Sequence, residues 1–143
     1  MKQFDFSAKN CGGGWTYFRR TGGCYKYFSE QVNWNLAHSR CRAQGADLAS
    51  VTDWSTNQFL KTINSVPENT DRDERSWIGG RMGGARWSRG GWQWTDGTPW
   101  CYESWAVNEP NNHRDLQDHV TYGHLKQWDD DNENYKRGYI CQK

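Results

Sequence analysis

Aliphatic side chains are scarce in this sequence. Leu, Ile, Val and Phe number 18 of 143 residues, about 13%, a fraction that accompanies disorder when net charge is large. Net charge is scarce too: 18 Lys and Arg against 17 Asp and Glu leave +1. Disorder is therefore not expected, nor is a nucleic-acid partner, which needs a strong basic excess. The basic residues Arg19-Arg20, Arg81, Arg86 and Arg89 read as surface loops. No run of about 18 apolar residues exists, so no membrane-spanning or membrane-inserting helix is expected. Met1–Asn10 is too polar for the apolar segment of a secretory leader. Either the protein is made without one, or this is a mature chain with an added Met1; we expect residues 1–10 to be an extension before one domain over 11–143. What replaces the aliphatics is ten Trp and seven Tyr, each removing roughly 150–250 Å² from water when buried.

Internal repeats, low-complexity tracts and C-x-x-C pairs are absent. The five cysteines are Cys11, Cys24, Cys41, Cys101 and Cys141. Four can form two bridges with one left over, and structural bridges need an oxidising compartment, so we expect secretion. Two aromatic runs around Gly22-Gly23 read as a hairpin, with Cys11 and Cys24 placed to staple it. Trp34, Ala37 and Cys41 recur at helical spacing, with Gly45 as the stop. A second helix is predicted to start at Thr52 or Asp53, with Phe59, Leu60 and Ile63 inward. The run Glu68–Ser76 reads as charged and solvated. Beyond it come a strand opening at Trp77-Ile78 and a short strand carrying Trp92 and Trp94 to an Asp96-Gly97 turn. An aperiodic segment follows over 98–118, then closing strands near His119–Leu125, Gln127–Asp130 and Gly138–Gln142. The predicted class is α+β. A structureless segment of about 20 residues in a compact domain is normally functional.

That segment holds Glu109-Pro110-Asn111-Asn112, and 17 residues after Asn111 comes Trp128-Asp129-Asp130-Asp131. Hard cations such as Ca²⁺ take six to eight oxygens from carboxylates and amide carbonyls on flexible loops. Glu109, Asn111, Asp129 and Asp130 offer four such side chains, and Pro110 would fix the backbone between two of them, especially after a cis bond. On spacing alone, a solvated acidic loop is an equal reading.

Taken together, the residues resemble the long-form C-type lectin-like domain. The match runs through Cys11…Trp15…Cys24-Tyr25, Trp34…Ala37…Cys41…Gly45-Ala46…Leu48…Ser50, Trp77-Ile78-Gly79 and Trp94-Thr95-Asp96-Gly97-Thr98-Pro99. It continues through Trp105…Asn108-Glu109-Pro110-Asn111-Asn112, Trp128-Asp129-Asp130 and Tyr139-Ile140-Cys141. It is similar in particular to small secreted single-domain invertebrate lectins with a Glu-Pro-Asn motif. The resemblance implies two helices, small antiparallel sheets and a long loop for calcium and sugar. It also implies bridges Cys11–Cys24 and Cys41–Cys141; the latter spans 100 positions, a constraint worth roughly 4–5 kcal/mol.

Carried over by position, the calcium ligands are Glu109, Asn111, Gln117, Asp129 and Asp130, the last through side chain and backbone. Two vicinal hydroxyls of a terminal sugar would complete the Ca²⁺ shell, each donating to a ligating carboxylate and accepting from a ligating amide. Glu109, Asn111, Gln117 and Asp129 would do this work, with His113 or Trp100 against the sugar face. The family usually has Glu at Gln117 and Asn at Asp129; exchanging both keeps three carboxylates but swaps donor and acceptor. Glu109-Pro110-Asn111 resembles the mannose type, and the exchange leaves galactose or GalNAc open.

Other departures follow the same alignment. The family's inner disulfide would fall at His119 and Glu133. The stretch Ile78–Gly91 has no carboxylate for auxiliary calcium sites, and Gly80 replaces a larger apolar residue. Odd Cys101 favours an interchain bridge and a homodimer, which suits weak single sites, with a free thiol or a small-molecule cap as the alternatives. Zinc at His113, His119, His124, Asp115 and Asp118 lacks ligand spacing, and no nucleophile elbow or phosphate loop points to an enzyme. A calcium-independent glycan or peptidoglycan binder and a protein-recognition module are the alternatives.

Overall fold

The structure is a computed structural model and describes residues 11–65, 75–83, 91–111 and 117–143, with Gln117 and His124 described by backbone alone. Strand β1 (Thr16–Phe18) turns back onto β2 (Gly23–Val32), pairing Tyr17 with Cys24. A disulfide joins Cys11, ahead of β1, to Cys24 near the start of β2.

Helix α1 (Trp34–Ala43) begins where the Asn33 side chain accepts the Leu36 N–H at 2.8 Å. It stops before Gly45, whose φ of 72° is the left-handed geometry that ends many helices. Its buried residues are Trp34, Ala37 and Cys41, the predicted stripe. After the short strand β3 (Asp47–Leu48), helix α2 (Trp54–Ile63) is capped by Asp53, which accepts from the Thr56 N–H and hydroxyl, each at 2.8 Å. Leu60 and Ile63 are buried, and Phe59 stacks on Phe18 at 4.2 Å.

The remaining strands are β4 (Ser76–Met82), β5 (Trp92–Trp94), β6 (Gln117–Tyr122), β7 (Trp128–Asn132) and β8 (Arg137–Gln142). The main path is β1-β2-β8-β4-β6-β7, with β3 on β8 and β5 on β4. The β4–β8 pair is parallel, Trp77 opposite Tyr139, and the other pairs are antiparallel. This is the α+β arrangement expected.

Two aromatic-rich cores result. One gathers Val32, Trp34, Ala37, Leu48, Trp77 and Tyr139 around the Cys41–Cys141 bridge. Here the indoles bury their N–H groups with partners: Trp34 donates to the Ile78 carbonyl at 3.0 Å and Trp77 to that of Val32 at 2.9 Å. The other core gathers Tyr25, Leu60, Ile78, Trp94, Val120, Tyr122, Trp128 and Ile140, with Trp92, Trp100, Tyr102 and Trp105 packed against it.

Three expectations need correction. The closing strands lie at Gln117–Tyr122, Trp128–Asn132 and Arg137–Gln142, because β6 and β7 pair with each other across the tight connection 123–127. Arg81 lies on β4, its guanidinium 5.9 Å from the Trp34 ring, not on a surface loop. The end of the supposedly solvated run is also structural: Ser76 is buried and Arg75 is only 24% exposed. Arg86, Arg89 and residues 1–10 and 66–74 lie outside the described residues.

Candidate calcium and sugar site

The aperiodic segment reaches β7 through its backbone. The Trp128 N–H donates to the Ser104 carbonyl, and the Ala106 N–H to that of Trp128, both at 2.8 Å, so Trp105 and Trp128 form a parallel bridge. A turn follows in which the Glu109 N–H donates to the Ala106 carbonyl at 3.0 Å. Asn108 adopts φ 67° there, a region Asn tolerates better than most residues. The Glu109–Pro110 bond is cis. The Asn111 N–H then donates to Glu109 Oε1 and Asp130 Oδ1, each at 3.1 Å, and its side-chain amide donates to Glu109 Oε2 at 3.3 Å. Glu109 and Asn111 are thus brought onto Asp129 and Asp130 of β7.

Carboxylate oxygens of Glu109, Asp129 and Asp130 lie within 4.8 Å of one another. Asp130 is fully buried, the other two half-buried. Burial first, then the Asp130 and Asp129 carboxylates, pushes Glu109 up to about 8. Asp129 is raised as well, by burial above all. Raised acids at Glu109 and Asp129 mark a site short of positive charge. Their hard oxygen donors suit Ca²⁺ far better than a soft or imidazole-seeking metal.

One positive charge is already there. Arg75 Nη1 contacts Asp129 Oδ2 at 2.5 Å and lies 3.7 Å from Asp131 Oδ2. Asp131, 1% exposed, also receives Arg137 through Nε and Nη2, each at 2.6 Å. Burial raises the Asp131 carboxyl, and Arg137 and then Arg75 oppose that rise.

Beneath the acids, buried Asn57 of α2 fixes the start of β7. Its Oδ1 accepts the Trp128 indole N–H at 2.9 Å, and its Nδ2 donates to the Lys126 carbonyl at 2.8 Å. Its own carbonyl accepts the Tyr122 hydroxyl at 2.6 Å. The Trp100 ring stacks on Trp94 at 4.5 Å and packs near Trp92, Trp105 and Trp128, with Nε1 donating to Glu103 at 2.8 Å. Trp94 at 4.5 Å and Trp92 at 6.1 Å seat the Trp100 ring in this aromatic cluster. Gly80 is explained by the same cluster. A Cβ there would meet Val120 Cγ2 at 2.5 Å and Trp100 at 3.3 Å, so the space of a larger residue is filled by Trp100 and Val120.

Of the sequence-derived ligands, Glu109, Asn111, Asp129 and Asp130 come together. Gln117 opens β6 opposite Asn132, and its side chain lies outside the described residues, as do His113 and Asp115. His119 packs on Trp34 at 4.3 Å with Nε2 3.9 Å from Glu133, so the positions matching the family's inner disulfide are neighbours here. Burial, then Arg81, lowers His119 to about 4, so the pair carries no ionic attraction at neutral pH. Cys101 is an exposed free thiol whose Sγ lies 3.6 Å from the Thr52 carbonyl. Sequence reasoning missed Asn57, Arg75 and the Asp131–Arg137 pair. No local signal marks them, since each acts across more than 50 residues or through a buried charge.

Known proteins carry the same architecture. Residues 30–143 match the family model described as the lectin C-type domain. C-type lectin lectoxin-Lio3 of Erythrolamprus poecilogyrus is 32% identical over 140 residues, covering 94% of this chain and 81% of that protein. The versican core protein of Rattus norvegicus is 29% identical over 133 residues, and the chain spans 4% of its length. Among solved structures, a calcium-independent type II antifreeze protein superposes with a TM-score of 0.78 at 28% identity, covering 97% of this chain and 98% of that one. The chain belongs to the C-type lectin domain family.

Proposed function

We propose that the protein is a calcium-dependent carbohydrate-binding lectin that makes and breaks no covalent bond. The observation that carries this reading is the convergence of Glu109, Asp129 and Asp130 within 4.8 Å. Asn111 and Gln117 complete the ligand set. Bound Ca²⁺ would offer open coordination positions to two vicinal hydroxyls of a terminal sugar. Around it, Glu109 and Asp129 accept hydrogen bonds from those hydroxyls and the amides of Asn111 and Gln117 donate to them. The buried contacts of Asn57 hold β7 still so that these groups need not reorganise on binding. Mannose-type sugars fit Glu109-Pro110-Asn111. The Gln117 and Asp129 exchange keeps galactose and GalNAc in play, and His113 sits in sequence beside the motif for contact with the sugar.

The protein acts outside the cell, where its two disulfides persist. Exposed Cys101 links two copies, raising avidity for multivalent glycans. Non-reducing electrophoresis and its loss in Cys101→Ser test that link.

A second reading, glycan or protein recognition without calcium, is favoured by the Arg75–Asp129 ion pair and by the likeness to a calcium-independent relative. A glycan array read with millimolar Ca²⁺ and again with EDTA separates the two. Binding to terminal mannose or galactose that vanishes in EDTA is expected. Binding that persists would discard the metal, and silence in both would point to a protein partner. If the double variant Gln117→Glu plus Asp129→Asn keeps the wild-type sugar preference, the donor–acceptor argument fails.

A further inference from the structure

Asp129 is one of the three clustered acids, and a guanidinium is bonded to it. The Arg75 side chain is held on several sides. Nη1 meets Asp129 at 2.5 Å and Asp131 at 3.7 Å, and Asp131 is fixed in turn by Arg137. Its stem lies so close over Gly123 that a Cβ at that position would come within 2.7 Å of Arg75 Cγ. Glycine is what lets the stem pass. This is a seated side chain, 24% exposed, and not a surface arginine that drifts past an acid.

The charge count gives this contact a consequence. Glu109, Asp129 and Asp130 bring three negative charges into one cluster, and Arg75 returns one positive charge to its edge. A fixed cation bonded to a ligating carboxylate repels a second cation and engages one of that carboxylate's oxygens. It also offsets repulsion among the three acids when no metal is bound.

We propose that Arg75 is a built-in counter-cation of the calcium site. It leaves Asp129 a single oxygen for the metal, lowers calcium affinity, and lets the loop hold its shape without calcium. This rests on the calcium reading above and assigns the residue that sets its affinity. The release threshold for the ligand then depends on Arg75 as much as on the ligating acids.

The test is calcium titration of the intact protein by calorimetry, paralleled by Tb³⁺ luminescence sensitised by Trp128, for wild type, Arg75→Ala and Arg75→Lys. Arg75→Ala is expected to bind calcium at least about fivefold more tightly. Its calcium-free form should melt at a lower temperature, so that calcium raises its Tm by more than it raises that of wild type. Arg75→Lys keeps the charge and should stay within about twofold of wild type. Should Arg75→Ala not fold, Gly123→Ala carries the same test, since its methyl must displace the Arg75 stem and shift affinity in the same direction. Wild type that binds calcium while Arg75→Ala binds it equally or more weakly overturns the counter-cation and leaves the lectin reading standing. Absence of calcium binding in every variant overturns the calcium reading itself.

Discussion

The two ends of this domain are stabilised by opposite means. Around the Cys41–Cys141 bridge, Trp34, Trp77, Leu48 and Tyr139 are buried, and both indole N–H groups are matched to carbonyls. The ion pairs beside this core, Arg40 with Glu30 and Arg42 with Asp47, use exposed arginines at its rim. Around β7 the chain instead packs three mutually repelling carboxylates at one edge and two guanidinium–carboxylate contacts at the other. On the calcium reading proposed above, the first region would hold the fold at any calcium level, and a bound cation would relieve the repulsion among the acids of the second. Stability and binding would then belong to different parts of the fold, joined by Asn57 and Trp128.

The comparison breaks most severely at the bridge. Cys41→Ser removes a cross-link spanning 100 positions, expected to cost about 4–5 kcal/mol, much of a domain's usual stability. Denaturant melting should show the loss with or without calcium, because it falls on the scaffold. Asn57→Ala removes the partner of the Trp128 indole N–H and one of two donors to the Lys126 carbonyl, which keeps the Ser104 hydroxyl. We expect about 2–4 kcal/mol of destabilisation together with weaker calcium binding, since the joint between the regions is cut.

Glu109→Gln sharpens the contrast by separating the two properties. Calcium affinity should fall at least about tenfold, while the calcium-free protein at pH 8 melts at an equal or higher temperature, because one repelling charge is gone. A lower calcium-free Tm would contradict the electrostatic account.

The smallest effect is a slope with pH. Glu109 is pushed up to about 8 in the folded protein from an ordinary value of 4.5. Between those values the folded state binds the proton more tightly than the unfolded chain does, so calcium-free stability is present below the window and declines as pH rises through it. Thermal melting from pH 5 to 8 should show this decline, and saturating calcium should flatten or reverse it.

Much of the scaffold was legible because its signals are local. The hairpin announces itself by Gly22-Gly23 between aromatic runs, α1 by the spacing of Trp34, Ala37 and Cys41, and α2 by Asp53 ahead of Leu60 and Ile63. The closing strands were legible only roughly, since a strand's ends depend on its partner's register; Asp131 and Asn132 joined β7 because they pair across to β6. At the site, the residue types of Glu109, Asn111, Asp129 and Asp130 were readable as oxygen donors. Arg75 was read as solvated because nothing near it in sequence reveals an acid 54 positions away.

What the sequence by itself determined was the inventory: aromatics enough to make up for scarce aliphatics, cysteines for two bridges, caps for two helices, and acids and amides for one cluster of oxygen donors. The tertiary structure decided which charges meet. It seats Arg75 over Gly123 and onto Asp129, fills the room beside Gly80 with Trp100 and Val120, and hangs β7 from Asn57. Electrostatic and packing energies depend on distance in space, and long-range contacts set those distances. Spacing along the chain does not.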